Sequence, residues 1–255
     1  MRINFFEEYP TAENLLKAKM VDFPSTIFLA AHSLQEFKEV REKLKAVNPL
    51  VEVAYWPILP KTYWLSPFMD TVDLVHFIDE MKNAGESITV LADLELPLAK
   101  LAYLYVKNCF AFSENKKLLQ SFFANAPEWG IKIIAAEYPP PSDFWAKLFR
   151  KLGVSYDVNE YHHTSCVMYY TSMIPQAILP RTREMIQKLQ KENGALELGL
   201  GTIATGMLEN EPLLPAEELD RDLAFMKENN FTTATIFRLG GLTEEYYRVI
   251  RKYTN

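Results

Sequence analysis

Two carboxylates, Asp93 and Glu95, stand two residues apart at the end of an apolar run and are followed by Pro97. In an extended chain, residues i and i+2 project to the same side, so these acids would share one environment. Two neighbouring carboxylates raise the proton affinity of one of them. The result is a neutral acid beside an ionised partner, the pairing that cleavage of a glycosidic bond uses. Further polar and aromatic residues sit in comparable places, directly after apolar runs: Glu8, Trp56, Glu137 and Arg238. Tyr63 and Trp64 follow Trp56 within a segment stiffened by Pro57, Pro60 and Pro67. Aromatic faces in such a loop suit the C–H face of a sugar ring, although the cluster Tyr55, Trp56, Tyr63, Trp64 and Phe68 could equally pack on itself. Glu8, Trp56, Tyr63, Trp64, Glu137 and Arg238 are accordingly read as substrate-binding residues.

Those positions acquire meaning from the elements around them. Short runs rich in Val, Ile, Phe and Tyr recur at Arg2–Phe6, Ser25–Ala31, Val51–Trp56, Ser87–Ala92, Ile131–Ala136, Ser165–Tyr170, Leu196–Thr202 and Thr232–Leu239. Their length and composition predict strands, and their unbroken apolar character fits parallel strands buried on both faces. Between them the apolar period becomes helical, as in Leu34–Val47, Val72–Met81, Arg181–Leu189, Glu217–Lys227 and Glu244–Tyr253. Ser33 with Glu36 reads as a capping box, and Thr243 as a cap for the last helix. Gly85, Gly130 and Gly194 mark helix ends. The stretch Leu98–Trp129 is long enough to hold more than one helix. Eight alternations of strand and helix in 255 residues predict a single α/β domain, a closed (β/α)₈ TIM barrel spanning residues 1–255. An open doubly wound sheet would advertise a glycine-rich first turn, and the first turn here is Glu7-Glu8-Tyr9-Pro10. In a closed barrel of this kind the chemistry lies at the carboxyl ends of the strands, where the residues above are found. Glu197 stands too early in its strand to belong to them, and His162-His163 precede the sixth strand at the opposite face.

Asp93-Leu-Glu95-Leu-Pro97 resembles the D-x-E-x-P end of strand 4 in the family 18 glycoside hydrolases, the chitinase-like barrels, and Met168-Tyr-Tyr170 resembles their M-x-Y on strand 6. The resemblance implies that Glu95 is the general acid and that Asp93 orients the substrate's acetamido group, which itself attacks the anomeric carbon. Tyr170 would hydrogen-bond that same group. This chain departs from the family pattern at Ile88 and Leu91, where the fuller motif has acids, and at Thr171, where an Asp follows the tyrosine. It has Phe237-Arg238 where a tryptophan ends strand 8.

Composition narrows the partners. A net charge of −6 without a basic stripe argues against nucleic acid. No apolar run reaches the roughly 18 residues of a membrane span, and no basic segment leads into an apolar stretch at the start. A cytoplasmic protein with a small-molecule or oligosaccharide ligand is expected. Cys109 and Cys166, far apart and outside any C-x-x-C spacing, read as small buried hydrophobes. No cofactor and no metal centre are expected. Three alternatives remain open beside a glycoside hydrolase. One is a phosphate-binding barrel using Gly199, Gly201 and Thr202 with Gly240, Gly241 and Thr243. Another is a metal set from His32, Asp93, Glu95 and Glu137. The third is a sugar-binding barrel without catalysis.

Overall fold

Eight parallel strands close on themselves in sequence order. They are β1 (Arg2–Glu7), β2 (Thr26–Ala31), β3 (Glu52–Pro57), β4 (Ile88–Asp93), β5 (Ile131–Glu137), β6 (Thr164–Met168), β7 (Glu197–Gly201) and β8 (Thr233–Phe237). All eight coincide with the predicted runs to within a residue or two. The computed structural model describes residues 1–60, 63–94, 101–193, 196–207 and 209–254. Closure is made by β8 against β1, with Arg2 to Phe6 in register with Thr233 to Phe237. The helices are α1 (Ala12–Leu16), α2 (Leu34–Val47), α3 (Thr71–Lys82), α4 (Leu101–Asn125), α5 (Asp143–Leu152), α6 (Val158–Tyr161), α7 (Leu179–Asn193), α8 (Ala216–Glu228) and α9 (Glu244–Arg251). None of the described helices is long and apolar enough to cross a membrane.

Local chemistry accounts for most boundaries. Ser33 caps α2 by accepting the Glu36 N–H at 3.1 Å. Glu36 reaches back one residue further than a capping box requires and accepts from His32 N at 2.8 Å. Asp70 and Thr243 cap α3 and α9 through side-chain oxygens. Gly85 and Gly130 adopt the left-handed conformation that glycine enters without a Cβ penalty; Gly194 lies outside the described residues. The expectation of more than one helix in Leu98–Trp129 is met, in the part described, by one long helix and a short 3₁₀ helix. There, one 25-residue helix, α4, runs into a single 3₁₀ turn, Ala126–Trp129. Its apolar residues include Leu118, Leu119, Phe122 and Phe123, which pack on the barrel and keep the helix unbroken to Asn125.

Each strand divides its side chains between two compartments. Outward residues such as Phe5, Leu29, Tyr55, Val90, Ile133 and Val167 join the helices in the larger core. The Tyr55 ring, for instance, lies 5.0 Å from that of Phe37 of α2. Inward residues fill the barrel: Phe6, Phe28, Trp56, Leu91, Ile134, Cys166, Met168 and Phe237. Phe6 lies 5.5 Å from Phe28, 5.7 Å from Trp56 and 6.4 Å from Phe237, so one aromatic contact chain joins β1, β2, β3 and β8. Cys166 is buried in the barrel interior, as its apolar surroundings predict; the side chain of Cys109 lies outside the described residues.

Outside the barrel, between α7 and α8, Asp222 is buried beneath Arg183 and accepts a short hydrogen bond from the Thr171 hydroxyl. Burial pushes its carboxyl up to about 6 against the opposing effects of Thr171 and Arg183. A raised carboxyl favours the fold most where it is neutral in both states. Stability should therefore fall as pH rises from about 4 to about 6 and then level off. Asp222→Asn, which retains an acceptor for Thr171, is expected to remove about 2–3 kcal/mol of that pH-dependent loss. Urea unfolding of both proteins at pH 4 and pH 7 measures it; an unchanged pH dependence in the variant would contradict the assignment.

Candidate functional site

The inward residues continue past the strand ends into a cavity of about 290 Å³ at the carboxyl-terminal mouth of the barrel. Strand alternation decides what enters it. On β4, Leu91 and Asp93 face inward while Ala92 and Leu94 face the helices. On β6, Cys166 and Met168 face inward, and Tyr170 continues the same side into the cavity. Asp93, Met168 and Tyr170, drawn from the two motifs, thus line one space. Glu95 lies outside the described residues.

Glu8 stands on the inward side of β1, one step above Phe6. It accepts a hydrogen bond from the Tyr63 hydroxyl at 2.6 Å. Burial raises the Glu8 carboxyl and nearby Glu211 adds to the rise, while the Tyr63 bond and the Arg238 charge oppose it. Burial, together with the Asp93 and Glu8 carboxylates, raises the Tyr63 phenol, so it remains a proton donor in the cavity. Trp56 meets Tyr63 edge-on at 5.7 Å. With Trp64 and Tyr138 these rings make an aromatic wall, and Thr202, Met173, Met207 and Glu211 complete the rim.

Two predicted binding residues are elsewhere. Glu137 shares the outward side of β5 with Ile133 and Ala135. It accepts from Ser155 Oγ at 2.9 Å, Tyr156 N at 3.3 Å and Ser165 Oγ at 3.4 Å, with His163 Nε2 at 3.9 Å. Its neighbour Tyr138 is the residue that reaches the cavity. Arg238 follows the inward Phe237 and turns away. It bonds Glu7 Oε1 at 3.1 Å and the Thr205 carbonyl at 2.9 Å, with its guanidinium 4.9 Å over the Tyr9 ring. The aromatic cluster is likewise divided: Tyr55 and Phe68 pack into cores, and Trp56, Tyr63 and Trp64 reach the cavity. The sequence reading passed over Glu211, Met173 and Met207 as site residues. They lie in aperiodic loops, where nothing separates a lining residue from a solvated one. Glu197, at the start of β7, is half-buried with its carboxyl raised by burial, away from the mouth.

The alternative sites do not assemble in the same way. Asp93 and Glu137 face opposite sides of the sheet, and His32 contacts the Ile58 carbonyl at 3.2 Å. Among the described residues no group of three His, Cys, Asp or Glu side chains could hold a metal ion. At the proposed phosphate cradle, the Gly240 N–H already donates to Glu7 Oε2 at 2.6 Å. A Cβ on Gly241 would lie 2.1 Å from the Ile203 carbonyl oxygen, so that glycine serves a backbone contact.

No protein-family model matches the chain, and no curated protein matches it in sequence. Solved structures match along its whole length. A GH18 chitinase from Pseudoalteromonas aurantia superposes with a TM-score of 0.62 at 11% identity, over 99% of this chain and 100% of that one. The PgaB (BpsB) glycoside hydrolase domain from Bordetella bronchiseptica gives 0.60 at 12% identity, over 100% and 98%. An endocellulase from Pyrococcus horikoshii, in complex with cellotetraose, gives 0.57 at 11% identity, over 100% and 92%. The chain shares the closed-barrel fold of these glycoside hydrolases. Its resemblance to the chitinase-like family is remote and is one of fold.

Glu7, fully buried behind the mouth, depends on its donors: Arg238, Gly240 N, Tyr9 N at 2.9 Å and Asn14 Nδ2 at 3.2 Å. Arg238→Met would leave that carboxylate without its counter-charge. Removing one partner of a buried pair typically costs about 3–5 kcal/mol, and a loss toward the lower end is expected because three donors remain. Chemical denaturation would report it, and a loss below about 1 kcal/mol would show that the pair is not what holds Glu7.

Proposed function

We propose that the chain is a carbohydrate-active protein that holds a saccharide in the mouth cavity and hydrolyses or otherwise processes its glycosidic bond. The observation that carries this reading is the meeting of Asp93 from β4 with Met168 and Tyr170 from β6 in one cavity, walled by Trp56, Tyr63, Trp64 and Tyr138. The cavity offers hydrogen-bonding groups and flat rings together, which is what a pyranose with alternating hydroxyl and C–H faces requires. Structural likeness to chitinases and to an endocellulase complexed with cellotetraose supports the same ligand class.

In this reading Glu95 donates a proton to the departing glycosidic oxygen. The strand-7 end, Gly199-Leu-Gly201-Thr202, has no carboxylate to act as nucleophile. An N-acetylated substrate would supply its own: the acetamido oxygen attacks the anomeric carbon as the leaving group departs, and water then opens the cyclic intermediate. Asp93 would hold the acetamido N–H and Tyr170 its oxygen. Leu91 faces the cavity where the family motif carries an acid, and this favours a second reading, a barrel that binds sugar without cleaving it.

One pair of measurements separates the two. Aryl glycosides, including N-acetylglucosaminides, are assayed with wild-type and Glu95→Gln protein, and oligosaccharide binding is measured in parallel. General acid catalysis contributes ~10²–10⁴-fold, so the substitution is expected to lower turnover by about that factor while binding persists. Binding without turnover in the wild type would select the non-catalytic barrel. Equal turnover in both proteins would remove Glu95 from the role of acid.

A further inference from the structure

The described residues that line the cavity include three carboxylates, Glu8, Asp93 and Glu211, and no lysine, arginine or histidine. Glu8 is 7% exposed. Its Oε1 accepts from Tyr63, while its Oε2 is buried without a well-formed hydrogen bond. Gly206 presses against that oxygen: a Cβ there would stand 2.7 Å from it. The β7–α8 loop leaves no room for a side chain of its own at this spot and offers Glu8 only the Met207 backbone N–H, so a charged donor would have to come from the cavity side. Arg238, which acts on Glu8 electrostatically, is turned toward Glu7 and Thr205. On the same wall Trp56 is 4% exposed and its Nε1–H is buried with no acceptor. The cavity thus presents a carboxylate oxygen without a well-formed hydrogen bond and an indole donor without an acceptor.

A buried carboxylate that is only partly hydrogen-bonded is costly, and a charged hydrogen bond is the strongest way to satisfy it. A ligand bearing an ammonium group answers the first requirement, and a neutral hydroxyl oxygen answers the second. An amino sugar carries both a few ångströms apart, whereas a simple amine has no oxygen to offer Trp56.

We infer that the Glu8–Glu211 side of the mouth is a subsite for a protonated amine, so that the saccharide unit held against β1 carries a free amino group. This rests on the reading of the mouth as a saccharide site. Glu8 Oε2 accepts from the ammonium, Glu211 adds the field of a second carboxylate, and Trp56 Nε1 donates to a ring hydroxyl. An acetylated nitrogen at the same place would set a neutral amide and a methyl group against the acids.

The test is calorimetric titration at mildly acidic pH with three probes: tetraglucosamine, its fully N-acetylated counterpart, and cellotetraose. Wild-type protein is expected to bind tetraglucosamine at least about tenfold more tightly than cellotetraose, a difference of about 1.4 kcal/mol. Glu8→Gln and Glu211→Gln should each weaken tetraglucosamine by about tenfold more than they weaken cellotetraose. Glu211 lies on the rim and is only partly buried, so its variant reports even if Glu8→Gln fails to fold. Equal affinity for all three probes, or a preference for the acetylated one, would overturn the amine subsite and leave the saccharide reading in place. A preference for tetraglucosamine undiminished in the variants would place the amine elsewhere and also overturn it. Binding of none of the probes would overturn both readings.

Discussion

A closed eight-stranded barrel admits only one side of each strand to its interior, and every feature of the mouth follows from that constraint. Phe28, Trp56 and Phe237 each meet Phe6 at the centre, which fixes the inward side of β1, β2, β3 and β8. Once the rings are seated, the residues beyond them have no choice. Glu8 follows Phe6 inward, and Glu7 between them must face out. A slip of one residue would exchange the two acids and every side chain below them.

The same alternation separates two uses of buried charge. On the outer side, Glu7 is surrounded by donors from the turn after β1, from α1 and from the turn after β8, with Arg238 as counter-ion. It joins the first strand to the last where the barrel closes. On the inner side, Glu8 has the Tyr63 hydroxyl and an aromatic wall. Two adjacent residues of one type are thereby assigned to the closure seam and to the cavity, with nothing but pleat direction to distinguish them.

The elements were legible in the sequence because their signals are local. A Val/Ile-rich run or a helical apolar period needs only its own residues, and α2 was read with its bounds Leu34–Val47 intact. The inward side was not legible because parallel strands of a barrel are apolar on both faces. In β5, Ile133 and Ile134 are equally hydrophobic although one meets helices and the other the interior. Hence Glu137 was placed at the mouth when Tyr138 is there, and Arg238 when Phe237 is. Asp93, Met168 and Tyr170 escaped this ambiguity because the motifs they belong to carry the direction with them. Glu211 had no such help: it sits in the aperiodic stretch between β7 and α8, and its position depends on how that loop folds back over Glu8.

That loop is held to the turn after β8 with no freedom to spare. Gly241 lies against the Ile203 carbonyl so closely that any side chain would collide, and Ile203 N donates to the Phe237 carbonyl at 2.7 Å. At Ile203 the two segments are joined into one jamb of the doorway. Directed evolution aimed at larger ligands would find few tolerated substitutions there. The opposite jamb is the segment carrying Tyr63 and Trp64 after β3, which meets the acids through side chains. Libraries that widen the entrance belong on that side.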